Sequence, residues 1–387
     1  MDNSGRQLRI GISGSYGGMN LGDEAILDSI VSQLHKHVSA DITVFSKNAA
    51  DTLARHQVEH AVDVRSMTRG EVTPYVRDLD VFILGGGGIL YDGEAEGYLR
   101  EVFIAGELGI PVMLYALSAG PLTTPQSRRA VRDALNSVPD AVITVRDRFG
   151  YRLLEDVGVT APIHHTADPA FLLEPQQPPI DALQAEGVEP GRHLVGFSVR
   201  EPGPAAPHIN PDDYYALLAN AADFVVERYD ADVVFVPMER SDVQHSHAVV
   251  AHMKYAERAE ISRRRYSPRE ILYLVGQFDF AIGMRLHFLI FAALQRTPFI
   301  ALPYASKVTG LLEDLGLEMP PLGAVGVGQL VARIDRSWDT RDDVRTKIDL
   351  KLDAVKAKSA STYGFLEQVL PKTSSQLESN QQQIEVQ

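Results

Sequence analysis

The sequence predicts an α/β protein built of two doubly wound, Rossmann-like domains. Three observations carry this. The chain has 387 residues, too long for one ordinary core and right for two. Short apolar runs alternate with amphipathic stretches, the pattern of parallel strands covered by helices on both faces. The pattern breaks at a group of prolines and then starts again.

The first half opens with a buried strand over residues 8–14, followed by the glycine-rich turn GSYGGMNLGDE. Ile26, Leu27, Ile30, Val31, Leu34 and Val38 share one face at helical spacing and predict the first helix. Asp41–Phe45 is the next strand. Asp80–Leu84 is a compact apolar strand that runs into Gly85, Gly86, Gly87 and Gly88. Pro111–Leu117 ends in Ser118-Ala119-Gly120-Pro121, and Ala141–Val145 ends at Arg146-Asp147. Pro175, Pro178, Pro179, Pro190 and Gly191 mark the break.

In the second half the strands are Leu194–Val199, Ala231–Pro237, Asp279–Gly283 and Pro298–Pro303. Asp212–Tyr229 is helical. Ser267 caps a helix over Pro268–Gly276, with proline in its first turn. Another helix runs through Leu294, and Ser306 caps a short one that stops at Gly316. Residues 340–371 read as helical. The domains expected are 1–172, a linker over 173–192, a second domain over 193–335, a helical segment over 336–371 and a Ser/Gln/Glu-rich disordered tail over 372–387. Two doubly wound halves on a linker resemble a GT-B-like arrangement. There the ligand lies in an interdomain cleft faced by the carboxyl ends of both sets of strands.

Composition limits the chemistry. The net charge of -14 disfavours general nucleic-acid binding, which needs a broad basic surface. The chain has no cysteine, so disulfides, thiolate catalysis and cysteine zinc sites are out. No stretch approaches the roughly 18–20 apolar residues that span a bilayer. The start of the chain runs straight into a strand without a signal-peptide core. These features suit a soluble, cytoplasmic protein that meets any membrane-linked substrate from the aqueous side, at the inner face of the membrane. His164-His165 and His245-x-His247 lack a carboxylate set, so no metal is expected.

Three constellations carry candidate chemistry. The turn Gly14–Glu24 brings backbone N–H groups to a helix start, with Asp23 either its cap or a ligand contact. Its spacing is neither the dinucleotide fingerprint nor a P-loop. Four consecutive glycines at 85–88 exceed what a turn needs and allow a ligand or another backbone to come close. Arg285 and His287 leave a strand end and open a helix, and Lys307 does the same after the next strand. Arg146 ends a strand in the first domain. Together they suit an anionic ligand.

These segments, in this order, resemble the polysaccharide pyruvyl transferase family. The stretches are GSYGGMNLGDEAIL, VFILGGGGIL, SAGPL, TVRDRFGYRLLEDVGV, TADPAFLL, FDFAIGMRLHFLIFAAL and PYASKVTGLLEDLGL, within residues 8–335. Ala119 stands where the family usually has glycine. The resemblance implies phosphoenolpyruvate as donor and co-substrate, without a cofactor. It implies a pyruvate ketal formed on a sugar of a surface polysaccharide or on its lipid-linked oligosaccharide precursor, with release of phosphate. It puts the family's basic residues on Arg146, Arg285, His287 and Lys307. His287, Arg285 and Lys307 would be catalytic, and Arg285 and Lys307 on the second domain would hold the donor together with Arg146. Acceptor binding would fall to Asn20, Asp23, Gly86 and Gly87 on the first.

Other functions stay open. Glu239 could hold a ribose, which would fit a glycosyltransferase or a sugar-nucleotide epimerase on the same fold. A non-catalytic glycan-binding protein is a second alternative, although both the histidine and the lysine are present. An NAD-dependent dehydrogenase is disfavoured by the glycine spacing.

Overall fold

In the computed structural model, which describes residues 7–201 and 210–371, the backbone forms two parallel sheets. The first half runs β1 (Leu8–Ser13), α1 (Leu21–His37), β2 (Ala40–Ser46), α2 (Ala49–Arg55), β3 (His60–Asp63), α3 (Arg69–Arg77), β4 (Val81–Leu84), β5 (Gly87–Leu90), α4 (Ala95–Leu108), β6 (Val112–Ala119), α5 (Pro125–Asn136), β7 (Val142–Val145), α6 (Arg148–Val157) and β8 (Ile163–His165). The second runs α7 (Ala182–Ala185), β9 (His193–Ser198), α8 (Pro211–Tyr229), β10 (Ala231–Phe235), α9 (Asp242–His252), β11 (Ala259–Ile261), α10 (Pro268–Val275), β12 (Phe280–Gly283), α11 (Leu286–Leu294), β13 (Phe299–Ala301), α12 (Ser306–Leu315), α13 (Val327–Asp339) and α14 (Arg341–Leu366).

The first sheet has the order β3-β2-β1-β4-β6-β7-β8, with β5 paired to β6. The second has the order β11-β10-β9-β12-β13. In both, the strands are added outward in one direction and then in the other. The order reverses between β1 and β4 and between β9 and β12, and doubly wound sheets bind ligands outside the strand ends at such a reversal.

The described residues fall into two compact units. One lies within Met1–Gly18, Ile26–Asp168 and Ala360–Gln387, the other within Met19–Ala25 and Pro169–Ser359. The first unit buries both sheet faces because its strands are apolar at odd and even positions alike. Phe82, Leu84 and Leu114 join one core with α3–α6. Ile10, Ile12, Ile83 and Met113 join the other with α1 and with Tyr363, Leu366 and Val369 near the chain's end.

Several boundaries differ from the sequence reading, each for a local reason. The chain changes unit at Asp168–Pro169, ahead of the prolines, and residues of the expected linker are tied to the second unit. Glu186 accepts the N–H groups of Arg263 at 2.9 Å and Arg264 at 3.1 Å. Gly87 and Gly88, read as loop, begin β5 and pair with Leu117 and Ser118. Asn20, not Asp23, caps α1: its Oδ1 accepts from Gly22 N at 2.9 Å. Ala305, not Ser306, is the cap of α12. β3, β8 and β11 are three- or four-residue edge strands, too short to show a period. The expected Ser267 cap is present, closed into a box with Glu270. The expected tail from 372 lies outside the described residues.

Two of the four glycines are explained by packing. A Cβ on Gly85 would run into the Tyr16 hydroxyl, and Tyr16 is fully buried. A Cβ on Gly86 would meet the Tyr115 and Ala116 carbonyls at 3.0 and 3.1 Å. Gly85→Ala should therefore destabilise the protein by about 1–3 kcal/mol, the usual cost of overpacking. Adding Tyr16→Phe should recover part of that loss in urea unfolding. Equal midpoints for wild type and Gly85→Ala would contradict the packing.

Candidate functional site

Four adjacent strand ends of the second sheet carry the charged side chains. Arg200 follows β9, Glu239 and Asp242 follow β10, Arg285 and His287 follow β12, and Tyr304 and Lys307 follow β13. Gly283 is in register with Ser198. Arg200 and Arg285 therefore stand at matching positions, each two residues beyond its strand. The pairing extends past the strands, since Met284 N donates to Ser198 O at 3.0 Å. The fully buried Tyr214 fixes the loop by donating to Arg200 O at 2.7 Å and by touching Met284 Sδ.

Arg285 is held by two carboxylates. Its Nε and Nη2 donate to Asp242 at 2.9 and 2.5 Å, and Nη2 lies 2.7 Å from Glu239. Asp242 is completely buried and also accepts the Met238 and Glu239 N–H groups, both at 3.1 Å. Burial would favour loss of the guanidinium proton, but Asp242 and Glu239 outweigh it and hold Arg285 above its ordinary pKa. The bidentate fork fixes the plane of the group. Removing one member of such a pair costs about 3–5 kcal/mol, because the other is left buried and uncompensated.

Arg200 and Lys307 supply the remaining positive charge. The Arg200 guanidinium lies 4.5 Å from the Tyr304 ring centre and Lys307 Nζ lies 5.6 Å from it. Arg200 is also 3.2 Å from the exposed Glu201. Among the described residues no carboxylate lies within ion-pair distance of Lys307. Tyr304 is buried, which alone would raise its pKa, yet Lys307 and Arg200 reverse the sign and lower it. The starts of α11 and α12, neither closed by a side-chain cap, lie at the same strand ends. Such a site suits a ligand with more than one negative group.

His287 sits in the first turn of α11 against the start of α1. A Cβ on Gly22 would enter its imidazole ring. The turn cannot slide away easily, because Leu21 N donates to Met238 O at 2.8 Å and Asn20 caps the helix. Asn20 and Asp23 thus belong to the same unit as His287.

Of the residues expected from sequence, Arg285, His287 and Lys307 come together in the second unit, joined by Asn20 and Asp23. Arg146, Gly86 and Gly87 belong to the first. Arg146 is buried and pairs with Asp168 at 2.5 Å, which neutralises it. Gly87 takes a positive φ of 107° in β5. Sequence reasoning missed Arg200, Tyr304 and Asp242. Arg200 could have been found by the same strand-end rule that found Arg285. Asp242 could not, since only the packing of α9 aims it at Arg285.

The fold and site define a GT-B-like α/β protein with a group of cationic side chains at the strand ends of its second sheet. Solved structures share the fold. The UDP-GlcNAc 2-epimerase of Neisseria meningitidis bound to UDP-GlcNAc is 9% identical, with 93% of this chain and 99% of that chain covered and a TM-score of 0.62. The S. aureus MnaA–UDP structure gives 9% identity, 89% and 91% coverage, and 0.62. The UDP-GlcNAc 2-epimerase of Methanocaldococcus jannaschii gives 12%, 85% and 92%, and 0.58. At these identities the likeness concerns the fold. No curated protein matches the sequence. The family model for polysaccharide pyruvyl transferase matches residues 20–306, and the chain belongs to that transferase family.

Two predictions follow from this geometry. Gly22→Ala should displace the imidazole and shift the His287 ring resonances, assigned with His287→Ala, while unfolding stays cooperative. Unchanged resonances would refute the contact. Lys307→Met should raise the Tyr304 pKa, seen as phenolate absorbance appearing at higher pH, with Tyr304→Phe as the blank. An unmoved titration would show that Lys307 does not govern Tyr304.

Proposed function

We propose that the protein transfers the pyruvyl group of phosphoenolpyruvate to two hydroxyls of a sugar, forming a pyruvate ketal and releasing phosphate. The acceptor is a sugar of a polysaccharide or of its lipid-linked oligosaccharide precursor. Family membership supports the class of reaction. The observation that carries the donor assignment is the cation group at the ends of β9, β12 and β13. Asp242 and Glu239 contact Arg285 and the exposed Glu201 contacts Arg200, while among the described residues no carboxylate lies within ion-pair distance of Lys307. Phosphoenolpyruvate brings a phosphate and a carboxylate, and both groups need fixed donors.

In this scheme Lys307 and Arg200 bind the anionic groups, and Arg285 directs its remaining donor capacity at them while clamped by Asp242. His287 handles the protons. One acceptor hydroxyl adds to C2 of the donor as a proton is delivered to the methylene carbon, making it methyl. The C2–O bond to phosphate then breaks, with the cations stabilising the departing group. The second hydroxyl closes the ketal at C2, and its proton leaves with phosphate. Asp23, next to the glycine that admits His287, is assigned to the acceptor hydroxyls, with Asn20 holding that turn. Gly86 and Arg146 are assigned to packing and to the end of β7.

Mass spectrometry of candidate glycan precursors incubated with phosphoenolpyruvate should show the ketal's fixed mass gain together with equimolar phosphate. His287→Ala should abolish product while donor binding by calorimetry persists. Lys307→Ala should weaken donor binding by at least about tenfold, the loss expected for one charge-assisted contact of about 1.5–3 kcal/mol. Near wild-type turnover in His287→Ala would remove its assigned role. A thermal shift with nucleotide sugars but none with phosphoenolpyruvate would favour an epimerase or glycosyltransferase instead.

A further inference from the structure

On the outer edge of the second sheet lies a cavity of about 770 Å³ that the reaction does not use. Its floor includes Phe299 and Ala301 of the edge strand β13, together with Met319. The volume falls in the range of ligand pockets, roughly 300–1,000 Å³. Its wall is one face of α13 and the start of α14. Leu330, Ile334 and Trp338 turn the other face of α13 into the core. Arg333 and Arg336, three residues apart on α13, line the cavity, and Lys347 joins them from α14.

The charge at this place is unusual for the chain. The protein as a whole carries -14, yet three cations line the cavity with Glu318 as the one carboxylate among its lining residues. Among the described residues, none of the three cations is in ion-pair contact with an acid, whereas Arg345, in the same stretch of α14, pairs with Asp342 at 2.7 Å. Beyond Lys347, one turn along the helix, Leu350 is 76% exposed. An apolar floor, a cationic wall and a protruding leucine are the features of a helix that meets an anionic lipid surface.

We propose that this cavity receives the phosphate headgroup of an anionic membrane lipid, with Arg333, Arg336 and Lys347 on the phosphate and Leu350 in the acyl boundary. The site is separate from the residues assigned to pyruvyl transfer, and the proposal does not depend on that reaction. It would hold a protein without an apolar spanning helix among its described residues against a membrane.

The full-length protein should co-sediment with vesicles of phosphatidylglycerol and phosphatidylcholine, and not with phosphatidylcholine alone. Raising the salt concentration should weaken that binding. Arg333→Glu with Arg336→Glu should reduce binding at least about tenfold, because each cation near an anionic surface contributes on the order of 1 kcal/mol. Leu350→Ser should reduce it less. Circular dichroism would check that each variant is folded, and soluble phosphate turnover would report the reaction separately. Equal binding to both kinds of vesicle, or full binding by the folded double variant, would overturn the proposal. So would complete displacement by millimolar glycerol phosphate, which would make this a site for a soluble phosphate ester. Loss of turnover with vesicle binding intact would count against the reaction alone.

Discussion

The pairing of β9 with β12 is the constraint on which the site depends. Because Ser198 and Gly283 are in register, the two chains leave the sheet side by side. Arg200 and Arg285 then emerge at equivalent heights, at the point where the strand order reverses. The neighbouring strands β10 and β13 complete the group, one supplying carboxylates and the other a tyrosine and a lysine. No residue in this set is close to all the others in sequence. A shift of one residue in the pairing would turn one of the two arginines toward the opposite face from the other.

Charge is divided within the site. Arg285 would be costly to bury alone, and Asp242 and Glu239 make its burial tolerable while fixing its orientation. Arg200 and Lys307 flank one aromatic ring. Arg285 is thus clamped between two carboxylates, whereas Arg200 meets only the exposed Glu201. The same contrast appears outside the site. Arg146 is closed against Asp168, whereas the cations on α13 and α14 lining the edge cavity have no such partner among the described residues.

Glycines act here mainly by making room. Gly22 admits the imidazole of His287, Gly85 admits the Tyr16 hydroxyl, and Gly86 lets two carbonyls approach. In sequence all three look alike, as members of glycine-rich turns after strands. Their roles separate only when the neighbour is known: a site side chain in one case, a core tyrosine and a bulged strand in the others. A run of glycines therefore marks close approach without saying what approaches.

The sequence by itself determined the class of fold, since alternating apolar strands and amphipathic helices leave few other ways to bury these side chains. It also determined that Arg285, His287 and Lys307 lie at strand ends, because strand ends are visible in the local pattern. Ser267 with Glu270 was legible for the same reason: a capping box is a local feature. Only the tertiary structure decided which charges are neutralised and which are free. Asp242 lies 43 positions from Arg285 and Asp168 lies 22 from Arg146, and no local period encodes such partners. The short edge strands, the cap at Asn20 and the contact of Gly22 with His287 were likewise decided by packing. Local preference sets where elements begin, but electrostatic pairing depends on distance in space, and that is fixed only when the sheet closes its register.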